Sequence, residues 1–238
     1  MKFFEDYIAA ESAHREAYAT SNTVTAFSLQ NHLILDAKNA HSVSCTIMPK
    51  SSVDILLPLT NIDQTTIDLH FKLQEFSHLT CKIICTNCHS SKISVTVEID
   101  GREARSDIRN FFYGQNDEQQ ELSVLQTHTT GNSFSSATSK TLLDDRAKSN
   151  FYCNITVPEW ARNVEAHQKN ENILLSETAR AEAQPILNIF NNDVSCSHGA
   201  AVGTFDEEAL FFMRARGIPL NTCKNLIAEG IFSTIVND

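Results

Sequence analysis

Period-two alternation is the feature that most constrains what this chain can fold into. Ile67, Leu69, Phe71 and Leu73 alternate with Asp68, His70, Lys72 and Gln74, and Ile93, Val95, Val97 and Ile99 alternate with Ser94, Thr96, Glu98 and Asp100. Val43, Cys45 and Ile47 repeat the pattern. Successive side chains of a strand point to opposite faces, so such runs bury one face and wet the other. Weaker strand candidates lie near 23–28, 32–36, 53–59, 78–85, 120–127, 150–157, 171–176 and 184–190. This rhythm fits a sandwich, a barrel or a β-helix of roughly 20–25 residues per coil. Seven glycines, five prolines and a single Asp-Gly, at Asp100-Gly101, argue against many tight hairpins and towards the β-helix. The polar run 129–141, TTGNSFSSATSKT, is expected to be a loop or a sheet edge.

The two ends differ. Residues 2–19 read as a short helix. Beyond about residue 204 the alternation stops. Asp206 suits a helix N-cap, Glu207 and Glu208 a first turn, Arg214 and Arg216 a last turn, and Gly217 the C′ position. Pro219 opens a second helix in which Cys223, Leu226, Ile227 and Ile231 share a face. The expected organisation is a helical segment 1–20, a β body 21–203 and a helical hairpin 204–238.

Composition excludes several function classes. A net charge of −10 without a Lys/Arg cluster disfavours nucleic acid and anionic membrane surfaces. No apolar run approaches the ~20 residues of a membrane span, and Glu5 and Asp6 fall where a signal peptide needs its apolar segment. A cytoplasmic location is expected. Seven scattered cysteines fit reduced thiols better than a disulfide framework.

Residues 81–89, CKIICTNCH, match two cofactor patterns. Cys85-Thr86-Asn87-Cys88-His89 is the haem-attachment C-x-x-C-H, but covalent haem implies export. Cys81, Cys85 and Cys88 have the C-x3-C-x2-C spacing of radical iron–sulfur enzymes, but the βα alternation of their barrel is missing. A zinc site would require a second knuckle, which only Cys196 and His198 could supply. The reading adopted is structural: Cys81, Ile83 and Cys85 lie on one strand face as small core hydrophobes, and Thr86, Asn87 and Ser90 turn the chain. GNSFS at 131–135 misses the nucleophile elbow, and neither G-x-x-x-x-G-K-[ST] nor G-x-G-x-x-G occurs, so the chain carries no phosphate cradle of known pattern.

Residues 166–218 closely resemble the core of the SufB/SufD family of iron–sulfur cluster assembly proteins. The resemblance is carried by Gln168, Leu174, Leu175 and Ser176; by Pro185, Leu187 and Ile189; by Asp193-Val194-x-Cys196-Ser197-His198-Gly199-Ala200; and by Leu210, Phe211, Arg216, Gly217 and Ile218. It weakens through residues 125–157, and before about residue 95 only the strand rhythm is compatible. Gly199 after His198 is the SufD-type choice, where the SufB type has Glu. Departures are Cys153 for a usual Gly, Asn163 and His167 for Thr and Tyr, and Ala201 for Thr. The chain is shorter than usual members, and is expected to lack their N-terminal helical domain and several coils.

The resemblance implies a right-handed parallel β-helix with a C-terminal helical hairpin and a non-catalytic scaffold role. It implies two partners: a SufB-like paralogue, or a second copy, alongside, and the SufC ATPase gripped by the hairpin through Phe211, Phe212, Arg214, Arg216 and Gly217. It places Cys196 and His198 near the subunit seam, where a transient iron–sulfur cluster assembles; thiolate and imidazole are suitable iron ligands. No intrinsic cofactor is implied. The rivals are a β-helix carbohydrate-active enzyme and a stand-alone metal protein using Cys81, Cys85, Cys88 and His89.

Overall fold

The computed structural model describes residues 2–13, 16–18, 24–27, 30–37, 41–205 and 207–236. It is a parallel β-helix of about six turns with helices at its C-terminal end. Each coil contributes one strand to each of two parallel sheets. Sheet one runs β1 (Glu16–Tyr18), β3 (Gln30–Leu35), the first part of β5 (Ser52–Leu73), the first part of β6 (His78–Ile99), β7 (Arg105–Gly114), β9 (Ser133–Leu143), β11 (Val164–Leu174) and β13 (Val194–Thr204). Sheet two runs β2 (Val24–Phe27), β4 (Ser42–Ile47), the second parts of β5 and β6, β8 (Gln119–His128), β10 (Lys148–Val157) and β12 (Arg180–Ile189).

The corners are set by the backbone. All nine described non-glycine residues with positive φ fall in two ladders: Lys50, Phe76, Glu103, Asn132 and Asn163 at one corner, Asn61, Asn87, Asn116 and Asp145 at the other. Asn and Asp tolerate the left-handed region better than other L-residues, which explains how a chain poor in glycine turns so often. Adjacent corners are laced by hydrogen bonds such as Phe76 N–H to Arg102 O and Asn132 N–H to Arg162 O. Gly101 is required by space, because a Cβ there would come within 2.1 Å of the Gln74 backbone.

The apolar residues of the alternating runs fill the space between the sheets: Val53, Ile55, Leu57 and Leu59 face Ile67, Leu69, Phe71 and Leu73, all essentially buried. A second apolar cluster lies outside sheet one. There α1 (Lys2–Ser12) and α3 (Leu220–Val236) cover Leu56, Ile84, Phe111, Tyr113 and Leu142 with Phe4, Ala228, Phe232 and Ile235. The Phe232 ring meets Phe4 and Phe111 edge-on at 5.0 and 5.1 Å. Burying such a ring is worth about 2–3 kcal/mol. Cations from successive coils hold the C-terminal end of α3: Lys82 Nζ donates to Val236 O (3.2 Å), Arg109 Nη1 to Ile235 O (3.3 Å) and Lys140 Nζ to Thr234 Oγ1 (2.7 Å). Positive charge at a helix C-terminus is favourable.

Several sequence expectations are corrected. Residues 133–141 of the polar run belong to β9, inside sheet one between β7 and β11. Its inward side chains Ser133, Ser135, Ser139 and Thr141 are polar yet buried, so hydrophobic alternation is silent there. Coils are longer than 20–25 residues over most of the body: Ser52 pairs with His78, Gln119 with Lys148 and Lys148 with Arg180. The N-terminal helix ends at Ser12, and 16–18 is strand. In α3 the buried stripe is Cys223, Ala228, Phe232 and Ile235; Ile227 and Ile231 flank it, and Leu226 faces outward. The proposed N-cap, Asp206, lies outside the described residues. Gly217 has φ 81° and its N–H bonds to Arg214 O at 2.9 Å, as a C′ glycine should.

Candidate functional site

The last coil is built from β12 and β13, and among the described residues each pairs on one side only, with β10 and β11. Their other edges carry free backbone donors and acceptors, a template for a further strand. Beneath them Ile155, Val157, Ala161, Val164 and Ala166 form a buried cluster, against which Leu187, Ile189, Val194 and Cys196 pack while only partly covered. Phe190, at 65% exposure, and Val202 are left in solvent. An apolar layer with one side uncovered is an unfinished core.

Cys196 and His198 sit on this open coil, two residues apart on β13, with their side chains on the same side of the strand as Val194. They are therefore about 7 Å apart along the strand. His198 is exposed and in register with Gln168; Cys196 is half-buried and in register with Ala166. Burial raises the Cys196 thiol, opposed by a hydrogen bond from the Ala166 backbone. β13 runs without interruption through His198 to Thr204, so His198 is a mid-strand residue. On the opposite face of the strand Ser197 Oγ is 2.7 Å from His167 Nδ1, whose Nε2 is 3.0 Å from Glu165 Oε1, strapping β13 to β11.

Below His198 the lumen is polar, which the sequence reading did not assign to the site. Gln168 is buried; its Nε2 donates to Ile186 O (2.8 Å), while its Oε1 has no hydrogen-bond partner among the described residues. Asn172 accepts from Thr141 Oγ1 (2.5 Å) and contacts Asn170, whose Nδ2 is another buried atom without a partner. One coil further in, Asn110 Nδ2 donates to Gln120 Oε1 (2.9 Å) and Ser139 Oγ (3.0 Å). His128 is clasped between Ser133 Oγ (2.7 Å) and Ser135 Oγ (2.8 Å), and burial pushes its pKa down to about 4, so it is neutral. An unpaired buried polar atom costs about 1–3 kcal/mol. The column of amides leading to the open end is thus a costly feature that packing alone does not require. The signal that could have revealed it is amides and hydroxyls at inward parity, as in Gln168-x-Asn170-x-Asn172.

The residues assigned to an ATPase gather on α2 (Glu207–Ala215) and the turn after it. This helix buries none of its residues. Phe211 is 74% exposed, Phe212, Arg214, Arg216 and Gly217 are exposed, and the Arg216 guanidinium stacks 3.3 Å over the Phe212 ring. Phe212 and Met213 line an apolar groove with Phe205, Ala209, Leu226 and Ile227.

The cysteine-rich stretch does not converge. Cys81 lies four residues before Cys85 on one extended strand, about 13 Å away. Among the described residues no group of three His, Cys, Asp or Glu side chains could hold a metal ion. All three thiols are buried in the core, where the sequence pattern had placed Cys81 and Cys85.

Comparison with known proteins places this architecture. The family described as SUF system FeS cluster assembly, SufBD core domain, matches residues 60–231. The chain belongs to this family. SufD of Escherichia coli is 35% identical over 88 residues, 37% of this chain and 21% of that protein. SufD of Bacillus subtilis is 34% identical over 97 residues, 41% of this chain and 22% of that protein. A SufBD family protein of Synechocystis is 31% identical over 98 residues, with the same coverage. The chain thus aligns with about a fifth of the length of the curated SufBD relatives it matches. Among the described residues no helix is long and apolar enough to cross a membrane.

Proposed function

We propose that this chain is a SufD-like, non-catalytic scaffold subunit of iron–sulfur cluster assembly in the cytoplasm. The observation that carries the reading is the unfinished terminal coil: free β12 and β13 edges, a half-covered apolar layer, and His198 and Cys196 directed to the same open end. The membership in the SufBD core family and the likeness to two SufD proteins support cluster assembly as the setting. A SufB-like paralogue, or a second copy of the chain, completes the coil by strand addition and by covering Leu187, Ile189 and Phe190. The nascent cluster is cargo. At the seam Cys196 offers a thiolate and His198 an imidazole, both fit to hold iron transiently.

The second contact in this reading is with the SufC ATPase. The exposed aromatic face of α2 and the groove it shares with α3 are the docking surface. Because Lys82, Arg109 and Lys140 fix α3 to sheet one, movement of the ATPase passes into the β body rather than into a free tail. The carbohydrate-active alternative finds less support. On the outer face of sheet two Glu121 is paired with Lys92 at 3.6 Å and Glu182 accepts from Gln184 at 2.6 Å, which engages two of the carboxylates such an enzyme would use.

Two experiments test the reading. His198→Ala and His198→Asn are assayed for maturation of iron–sulfur enzymes in cells, with SufC binding measured in parallel. Both variants are expected to lose maturation at least about tenfold and to keep SufC binding; one bonded iron ligand corresponds to well over the 1.4 kcal/mol that a tenfold loss represents. Full maturation by either variant leaves His198 structural. Separately, a chain ending before Thr204 is expected to lose SufC binding while circular dichroism retains its strand signal; undiminished binding assigns the docking surface elsewhere.

A further inference from the structure

α1 lies outside residues 60–231, the stretch shared with the SufBD core family, yet it packs directly on the C-terminal hairpin. Phe232, the aromatic that α3 sets into the second apolar cluster, is fully buried. On the sheet side it meets Phe111 at 5.1 Å. Its other ring neighbours among the described residues belong to α1: Phe3 at 5.5 Å, Phe4 at 5.0 Å and Tyr7 at 5.1 Å, all edge-on at 84–89°. Edge-to-face contacts of this kind are favourable beyond the area they bury. Phe4 also reaches the sheet, 5.4 Å from Phe111 and 6.4 Å from Tyr113, and is only 2% exposed. One side chain of α1 therefore touches both α3 and sheet one. The remaining buried residues of α3 are Cys223, Ala228 and Ile235, none of them aromatic. α2 in turn buries none of its own residues and shares its apolar groove with Leu226 and Ile227 of α3. The position of α2 thus follows that of α3, and the position of α3 depends on α1.

We propose that α1 is a strap that holds the C-terminal hairpin against sheet one in the position in which α2 meets the ATPase, with Phe4 as its positioning residue. This role rests on the reading of α2 and its groove as the SufC-docking surface. The polar contacts of α3 do a different job. Lys82, Arg109 and Lys140 hold its C-terminal end and Lys224 binds Asp144 near its start, which fixes its direction but gives Phe232 no apolar cover. That cover comes from α1. With α1 detached, Phe232 and Phe111 face water, and the seated hairpin loses its advantage over a loosened one. A partner that requires the seated hairpin then binds more weakly, in proportion to the fraction of chains that keep it. The coupling is reciprocal. Eleven residues are too few to make a stable helix alone in water, so α1 owes its order to docking. A partner that grips the seated hairpin must therefore also hold α1 down, although it need not touch α1.

The test compares the full chain with its Phe4→Asp and Phe4→Leu variants by amide hydrogen exchange, with and without SufC, and by SufC affinity. An aspartate cannot stay among these rings without a partner for its charge, so Phe4→Asp detaches α1. Exchange in residues 220–236 should then quicken at least about tenfold while β8 to β10 keep their protection. SufC binding should weaken at least about tenfold in the same variant. Phe4→Leu keeps an apolar wedge of similar size and should stay within about threefold of the wild type in both measurements. In the wild type, added SufC should slow exchange in residues 2–12. The strap is refuted if Phe4→Asp leaves exchange in 220–236 unchanged, or if exchange quickens there while SufC affinity holds. Loss of protection throughout the strands refutes it too, because α1 would then support the whole body and not the hairpin. If the wild type does not bind SufC at all, the docking reading fails by itself, and exchange in 220–236 alone decides whether α1 holds α3.

Discussion

The coils formed by β4 to β6 and those formed by β8 to β11 share one backbone geometry and differ in how much of the interior is polar. The first are filled with Val, Ile, Leu, Phe and Cys. The second carry Gln120, Gln126, His128, Ser135, Ser139, Gln168, Asn170 and Asn172 at equally buried positions. In the apolar half, stability comes from area removed from water. In the polar half it depends on hydrogen bonds that must replace those lost to water, and Gln126 Oε1, Gln168 Oε1 and Asn170 Nδ2 show where the replacement is incomplete. The parallel coil is thus indifferent to the chemistry of its filling as long as volume and pairing are met. A functional interior can be placed in it without changing the fold.

The contrast can be broken most forcefully in the apolar half. Phe71→Ala should cost about 3–5 kcal/mol, as a large cavity in a well-packed core does, and equilibrium urea unfolding would measure it. A loss below about 1 kcal/mol would mean that these coils collapse freely and are not the stabilising half. The next effect belongs to the polar half and to pH. His128 is held neutral, with its pKa depressed from 6.5 to about 4 by burial. Below pH 6.5 the unfolded chain binds a proton that the folded chain refuses. The contribution of this residue is therefore complete above about pH 6.5, declines as pH falls, and levels off below about pH 4, with a total loss of about 3 kcal/mol. Urea unfolding at several pH values should show that slope in the wild type and a shallower one in His128→Gln. Equal slopes would remove His128 as the acid-sensitive point. The smallest effect concerns corners. At the first of the two corners the apolar half turns on Lys50, Phe76 and Glu103, the polar half on Asn132 and Asn163. Phe76→Asn, at φ 56° and largely exposed, should stabilise the protein by about 1 kcal/mol, seen as a rise in Tm.

The same division decides what could be read from the sequence. The second part of β5, the second part of β6, and β4 were legible because hydrophobic alternation reports burial. β9 was not, because Ser133, Ser135, Ser139 and Thr141 face inward in a strand that looks uniformly polar. The cysteine stretch was legible as core for Cys81 and Cys85, which share parity with Ile83, but the burial of Cys88, three residues after Cys85, needed the corner at Asn87. His198 and Cys196 stood out by their resemblance to a motif, not by physical pattern. The position of His198 above Gln168, and of Cys196 above Ala166, depends on a 30-residue coil spacing that nothing local specifies. The end of α2 was legible from its C′ glycine, Gly217, while Leu226 was assigned to the wrong face because both sides of α3 are apolar.

The lengthening of the coils has a geometric consequence. Gln30 pairs with Ser52, 22 residues on, whereas Lys148 pairs with Arg180, 32 residues on. From β7 onward every strand has ten or eleven residues, so the residues added there lie in the corners and connections and not in the ladders. A coil of this kind can take an insertion at a corner and keep the register of both sheets, which leaves the corners as the places where the chain can vary in length.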